Sequence, residues 1–90
     1  MVEMTAQVKN ANGIHCRPSA VIIGRAQEYS GKIVVIGEKG QIELTSILEL
    51  MSLELFEGSV IKIQVSGPDE EQVCKEMVEL FECHFDFPPQ

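Results

Sequence analysis

Tryptophan is absent from this chain of 90 residues and tyrosine occurs once, yet four phenylalanines and a 44% hydrophobic content still suffice for a core. Basic residues are scarce: 7 Lys and Arg stand against 14 Asp and Glu, a net charge of −7. Nucleic acid phosphates would be repelled by most of such a surface, so nucleic acid is excluded as a partner and a basic partner, or a local basic spot, is expected. No apolar run approaches the roughly 18 to 20 residues of a membrane span, and Met1-Val2-Glu3-Met4 lacks the basic start and apolar stretch of a secretory signal. A cytoplasmic location without membrane insertion is expected. Cysteine is sparse as well: Cys16, Cys74 and Cys83 form no CxxC pair and leave one over in any disulfide scheme, which fits free thiols in a reducing compartment. Cys74 reads as core and Cys83 as core or fringe. Internal repeats, linkers and low-complexity segments are missing too. A chain this short buries only roughly 60 to 65% of its unfolded surface and cannot divide its core, so residues 1–90 are expected to form one domain, with 86–90 a loose tail.

What is present is a set of short periodic segments. Met4, Ala6 and Val8 alternate, and Asn10-Ala11-Asn12-Gly13 supplies turn chemistry, so a first strand should end near Lys9. From Cys16 to about Tyr29, Ile22, Ile23, Ala26 and Tyr29 recur at helical spacing, with Pro18 tolerable in the first turn. Ser30-Gly31 stops that helix. The run Ile33-Val34-Val35-Ile36, the turn Gly37-Glu38-Lys39-Gly40 and Gln41-Ile42-Glu43-Leu44 read as a hairpin. Ser46-Ile47-Leu48-Glu49 has the form of a capping box and opens a short helix carrying Ile47, Leu50, Met51 and Leu53. Val60, Ile61, Ile63 and Val65 make a fourth strand, broken by Gly67-Pro68. Asp69, with Gln72 three residues on, looks like the N-cap of a last helix that buries Val73, Met77, Leu80 and Phe81. The order β-α-β-β-α-β-α is a split βαβ arrangement, an α/β sandwich with one sheet covered on one face by helices.

The chemistry concentrates at Asn12-Gly13-Ile14-His15-Cys16-Arg17-Pro18, where an imidazole enters a helix and a guanidinium follows two positions later. The first N–H groups of a helix lack internal partners and carry partial positive charge, so an anion on the ring would find backbone donors near Cys16 and Arg17. Arg17 adds a charge-assisted, potentially bidentate contact to phosphoryl oxygens. The same positive end disfavours imidazolium and keeps His15 neutral and nucleophilic near pH 7. By itself His-x-Arg-Pro is a short pattern, and a lone His at a helix start is more often a cap or a surface residue. Cys16 reads as a small side chain that fits the turn. His84, beside Cys83, has no two further ligands at metal-binding spacing, so no metal is expected. The carboxylates Glu70, Glu71, Glu76, Glu79 and Glu82 read as a solvated helix face.

The surrounding order resembles that of the HPr family, the histidine-containing phosphocarriers of the bacterial sugar phosphotransferase system. The likeness runs from Val8-Lys9-Asn10 through Gly13-Ile14-His15-Cys16-Arg17-Pro18-Ser19-Ala20, Thr45-Ser46-Ile47-Leu48, Met51-Ser52-Leu53 and Gly58 to Gly67-Pro68-Asp69-Glu70-Glu71. The resemblance implies an open-faced sandwich, a four-stranded antiparallel sheet covered on one face by three helices. It implies phosphorylation of His15 on Nδ1 by phosphorylated enzyme I, transfer to a IIA protein, and Arg17 steadying the phosphoryl group in both complexes. Such a protein is a stoichiometric carrier rather than a turnover enzyme, needs no cofactor, and is expected to act as a monomer.

The resemblance also implies that Ser46 is a regulatory phosphorylation site of an HPr kinase/phosphorylase, and that Ala20, Ile47, Leu48 and Met51 form an apolar docking patch. Periodicity alone assigns some of these to the core, Ile47 above all. Glu49 departs from family members with Gly or Lys there, and its carboxylate would repel a phosphate on Ser46. Gly24 and Gln27 stand where other members carry Lys, so docking should lean more on apolar contact than on basic steering. Two other readings stay open: a carrier of the nitrogen-related branch, and a regulatory module that acts mainly through docking. A third makes His15 a structural cap.

Overall fold

A computed structural model describes residues 1–9 and 16–82, without the side chains of Cys16, Arg17 and Pro18. The elements are β1 (Val2–Gln7), α1 (Cys16–Gln27), β2 (Lys32–Gly37), β3 (Gly40–Glu43), α2 (Ile47–Ser52), β4 (Val60–Ser66) and α3 (Glu70–Glu82). The expected turn at Asn10-Ala11-Asn12-Gly13, Cys83, His84 and the 86–90 tail lie outside the described residues.

The four strands form one antiparallel sheet in the order β1-β4-β2-β3. Register follows from the alternation of apolar residues, because a slip by one would turn every buried side chain to the wrong face. Met4 pairs with Ile63 and Ala6 with Ile61, while Ile33 pairs with Val65 and Val35 with Ile63, which sets these side chains on the helix-covered face. Glu3 pairs with Gln64, Thr5 with Lys62 and Val34 with Gln64 on the other face, which is left open. Buried Ala6, Val8, Val35, Ile63 and Val65 join Ile22 and Ile23 of α1, Leu50 of α2, and Val73, Cys74, Met77 and Phe81 of α3 in one core. The third helix lies across β1 and β4, and α1 packs beside both α2 and α3. The arrangement is thus the open-faced sandwich expected, and no helix among the described residues is long and apolar enough to cross a membrane.

Several boundaries move, each for a local reason. The first strand ends at Gln7 rather than near Lys9, although buried Val8 still pairs, its N–H donating to Ser59 O at 2.8 Å and its carbonyl accepting from Gly58 N at 2.7 Å. The first helix stops at Gln27, and Glu28 and Tyr29 continue it only through tighter bonds to the carbonyls of Arg25 and Ala26, both 3.1 Å. Gly37 and Gly40 face each other across a two-residue turn, Glu38-Lys39, and Gly40 takes φ 150°, a conformation open to glycine. Leu44 falls just past β3 but stays buried, and its N–H donates to Ile33 O at 2.9 Å.

The α3 start differs from expectation in chemistry as well. Asp69 sits at φ 49°, so it lacks the extended backbone of an ordinary N-cap, and its carbonyl accepts the first helical bond from Val73 N at 2.9 Å. The carboxylate that ties this turn together is that of Glu70, whose Oε2 accepts from Gly67 N at 3.2 Å while its Oε1 pairs with the Met1 ammonium, also at 3.2 Å. These contacts hold the Glu70 carboxyl below the usual carboxylate range, the Gly67 bond contributing most. Leu80 is half-buried and packs against the core rather than lying in it, whereas Cys74 is buried as expected, its Sγ donating to Ile63 O at 3.4 Å. Burial pushes that thiol's pKa up, as expected for an unreactive core cysteine.

Candidate functional site

His15 lies outside the described residues, as do the side chains of Cys16 and Arg17. What the structure describes is the frame around them. The backbone of α1 begins at Cys16, the residue after His15, and its first turn contains no acidic residue to neutralise the free N–H groups. Arg17 is the second residue of the helix and Pro18 the third, a place where no intrahelical donor is missed. Ser19 is fully buried at the foot of this turn, and its Oγ has no hydrogen-bond partner among the described residues. A small side chain is what the packing permits there, and the sequence contained no sign of its burial beyond its size.

The other end of α1 is tied to α3. Arg25 Nε donates to Glu76 Oε2 at 2.8 Å and Nη2 donates to Oε1 at 3.1 Å, a bidentate pair, with Glu28 Oε1 3.7 Å from Nη1. The Arg25 bond lowers the Glu76 pKa and the Glu76 bond raises that of Arg25. Glu76 is therefore one carboxylate of the expected solvated face with a structural partner. Nothing in the sequence pairs two residues 51 positions apart. At the C-terminal end of α3, Glu82 Oε2 accepts from Gln7 N at 3.0 Å, so the end of α3 meets the end of β1.

Ser46 does cap α2. Its backbone is extended (φ −147°, ψ 139°) and its Oγ accepts from Leu48 N at 3.2 Å. The reciprocal half of the expected capping box is not made. Glu49 instead accepts from the Thr45 hydroxyl, Oγ1 to Oε2 at 3.2 Å.

Of the four expected docking residues, Ala20 is exposed on α1, Leu48 is 79% and Ile47 37% exposed on α2, and Met51 is half-buried. Ile47 is thus at the surface rather than in the core, to which Leu50 and Leu53 belong. The packing of α1 on α2 places the two helices side by side. Val21, 44% exposed, extends the apolar surface of α1 and was not singled out by periodicity. Gly24 is exposed, and a Cβ built on it meets nothing within 4 Å, so no steric need explains the glycine. No group of three His, Cys, Asp or Glu side chains among the described residues is placed to hold a metal.

The arrangement offers a helix start whose first N–H groups have no intrahelical partner, an arginine in its first turn and a mostly apolar surface beside it. Comparison with known proteins gives this frame a family. Residues 2–83 match the family model described as the PTS HPr component phosphorylation site. Phosphocarrier protein HPr of Borreliella burgdorferi is 35% identical over 82 residues, covering 91% of this chain and 95% of that protein. Phosphocarrier protein HPr of Treponema pallidum is 31% identical over 86 residues, covering 96% and 98%. The crystal structure of HPr-C-His from Thermoanaerobacter tengcongensis superposes with a TM-score of 0.83 at 36% identity, covering 90% of this chain and 91% of that one. Family match, sequence identity and superposition agree, and this chain belongs to the HPr family of phosphocarriers of the phosphotransferase system.

Proposed function

We propose that residues 1–90 act as one carrier unit in which His15 accepts a phosphoryl group from phosphorylated enzyme I and passes it to a IIA protein. The observation that carries this reading is the start of α1 at Cys16, directly after His15, with no acid in its first turn. A neutral imidazole at that place offers Nδ1 to phosphorus, and the phosphoryl oxygens then lie by the free N–H groups of the helix start. Arg17, in the same turn, steadies the added charge without being consumed. The group leaves His15 by the reverse displacement on the next acceptor, so the chain is unchanged over a cycle. The reading sets the protein in the cytoplasm as a monomer, with Ala20, Ile47, Leu48 and Met51 against its partners.

Incubation with enzyme I and phosphoenolpyruvate should yield an acid-labile, base-stable phosphoprotein. His15→Ala should abolish the label; a fully labelled variant sinks the assignment.

Ser46 enters the proposal as the residue through which an HPr kinase/phosphorylase regulates the carrier. A phosphate there adds about −1.5 to −2 charges and sets strong acceptor oxygens at the start of α2, where Leu48 N now donates to Oγ. Glu49, bound to Thr45 one residue before Ser46, opposes that charge. Glu49→Gln should therefore speed phosphorylation of Ser46 by purified kinase/phosphorylase, and an unchanged rate would remove Glu49 from the account.

A further inference from the structure

Among the described side chains, the face shared by α1 and α2 carries no charge at its centre. Ala20, Gly24 and Gln27 are exposed on α1, Ile47 and Leu48 are exposed on α2, and half-buried Met51 fills in behind them. The charges near this face are acids at its margins. Glu28 follows the end of α1, and exposed Glu49 stands next to Leu48 with its carboxylate turned to Thr45. Two described cations have carboxylate partners outside this face. Arg25 is drawn to α3 by two bonds to Glu76, at 2.8 and 3.1 Å, and meets exposed Glu28 only at 3.7 Å, and Lys39 Nζ lies 3.5 Å from Glu54 Oε2. The last turn of α2 has no basic residue. Around this, the chain as a whole carries −7.

We infer that the phosphoryl donor meets this face with an apolar patch rimmed by basic side chains, which pair with the acidic margins at Glu28 and Glu49. The inference rests on the carrier reading for its choice of face and partner. Its physical ground is charge complementarity. A donor with an acidic rim would meet like charge at both margins and from the molecule at large, whereas a basic rim is attracted at long range and paired on contact. Because Gly24 and Gln27 put no cation between the helices, the apolar centre supplies the contact and the margins supply the orientation.

The test measures transfer from enzyme I of the same source at 50 and 500 mM NaCl, as kcat/KM for this protein as substrate. The unaltered protein should react more slowly at high salt. Glu49→Lys, and separately Glu28→Lys at the other margin, should lower kcat/KM about threefold to tenfold at 50 mM and little at 500 mM. Glu3→Lys makes the same change in net charge on the open face of the sheet, far from both helices, and should cost clearly less. A rate that rises with salt, a gain from both margin variants, or an equal loss from Glu3→Lys overturns the inference. The same substitutions in a His15→Ala background, read by direct binding to enzyme I, separate the two proposals. Label on His15→Ala defeats the carrier reading alone, whereas binding that ignores the margin charges, or no binding at either salt, defeats the docking surface.

Discussion

At the scale of single residues, Ser46 shows how one side chain serves the fold before any regulation. Its hydroxyl satisfies Leu48 N, a donor that a six-residue helix cannot satisfy internally. Ser46→Ala should cost about 0.5 to 2 kcal/mol in urea unfolding, while Ser46→Asp, which keeps an acceptor at the cap, should recover most of it. Equal losses in both variants would show that repulsion from Glu49 outweighs the cap. The cap was legible from residue types, since Ser before an apolar run is an N-terminal signal. The use of Glu49 was not, because the capping-box pattern does not record that Thr45 competes for the same carboxylate. The chemistry of His15 and Arg17 was likewise read from types and spacing, and those side chains lie outside what the structure describes.

At the scale of elements, two glycines of opposite character set limits on α1 and on the turn before α3. Gly67 has φ 140°, and a Cβ there would stand 2.7 Å from Tyr29 Oη and 2.9 Å from Gly31 Cα. The Tyr29 hydroxyl in turn donates to Pro68 O at 2.7 Å, so the ring has little room to retreat. Gly67→Ala should destabilise by about 1 to 3 kcal/mol or more through crowding and backbone strain. Gly24, in the middle of α1 with open space around it, should tolerate Ala and gain roughly 0.5 to 1 kcal/mol from the lower entropy of the unfolded chain. Thermal unfolding of the two variants should move the midpoint in opposite directions; a shared direction would refute the contrast. All seven elements were legible from periodicity and punctuation, and the ends were not. A helix end depends on where its last carbonyls find partners, as at Arg25 and Ala26, and a strand end on what lies opposite, as at Val8 and Ser59.

At the scale of the whole molecule, two carboxylates link distant parts of the chain and give its stability an acid limb. Glu70 binds Gly67 N and the Met1 ammonium, and Glu76 binds Arg25, so both carboxyl groups are held below their ordinary range in the folded protein. In the unfolded chain they titrate near about 4.3. The unfolded state therefore takes up protons first as the pH falls. The stability these groups contribute is complete above that value and is lost as the pH drops through their lower folded values. Glu70, Glu76 and Arg25 are each about one-third exposed and the Met1 ammonium more than half, so solvent and salt screen part of the effect. The urea midpoint should fall between pH 5 and pH 3, and Glu70→Gln with Glu76→Gln should shrink that fall, most clearly at low salt. An undiminished fall in the double variant would assign the acid limb to other groups.

The sequence by itself determined which residues are apolar at what spacing, and so the order β-α-β-β-α-β-α, the core residues Ile22, Val35, Leu50, Ile63 and Phe81, and the position of His15 immediately before a helix. These are local properties, since hydrophobic period, turn residues and caps act over a few positions. Only the tertiary structure decided that β4 lies between β1 and β2, that Arg25 is spent on Glu76, and that Ile47 faces outward. Those outcomes depend on which distant surfaces meet when one small core closes, and separation along the chain carries no record of that meeting.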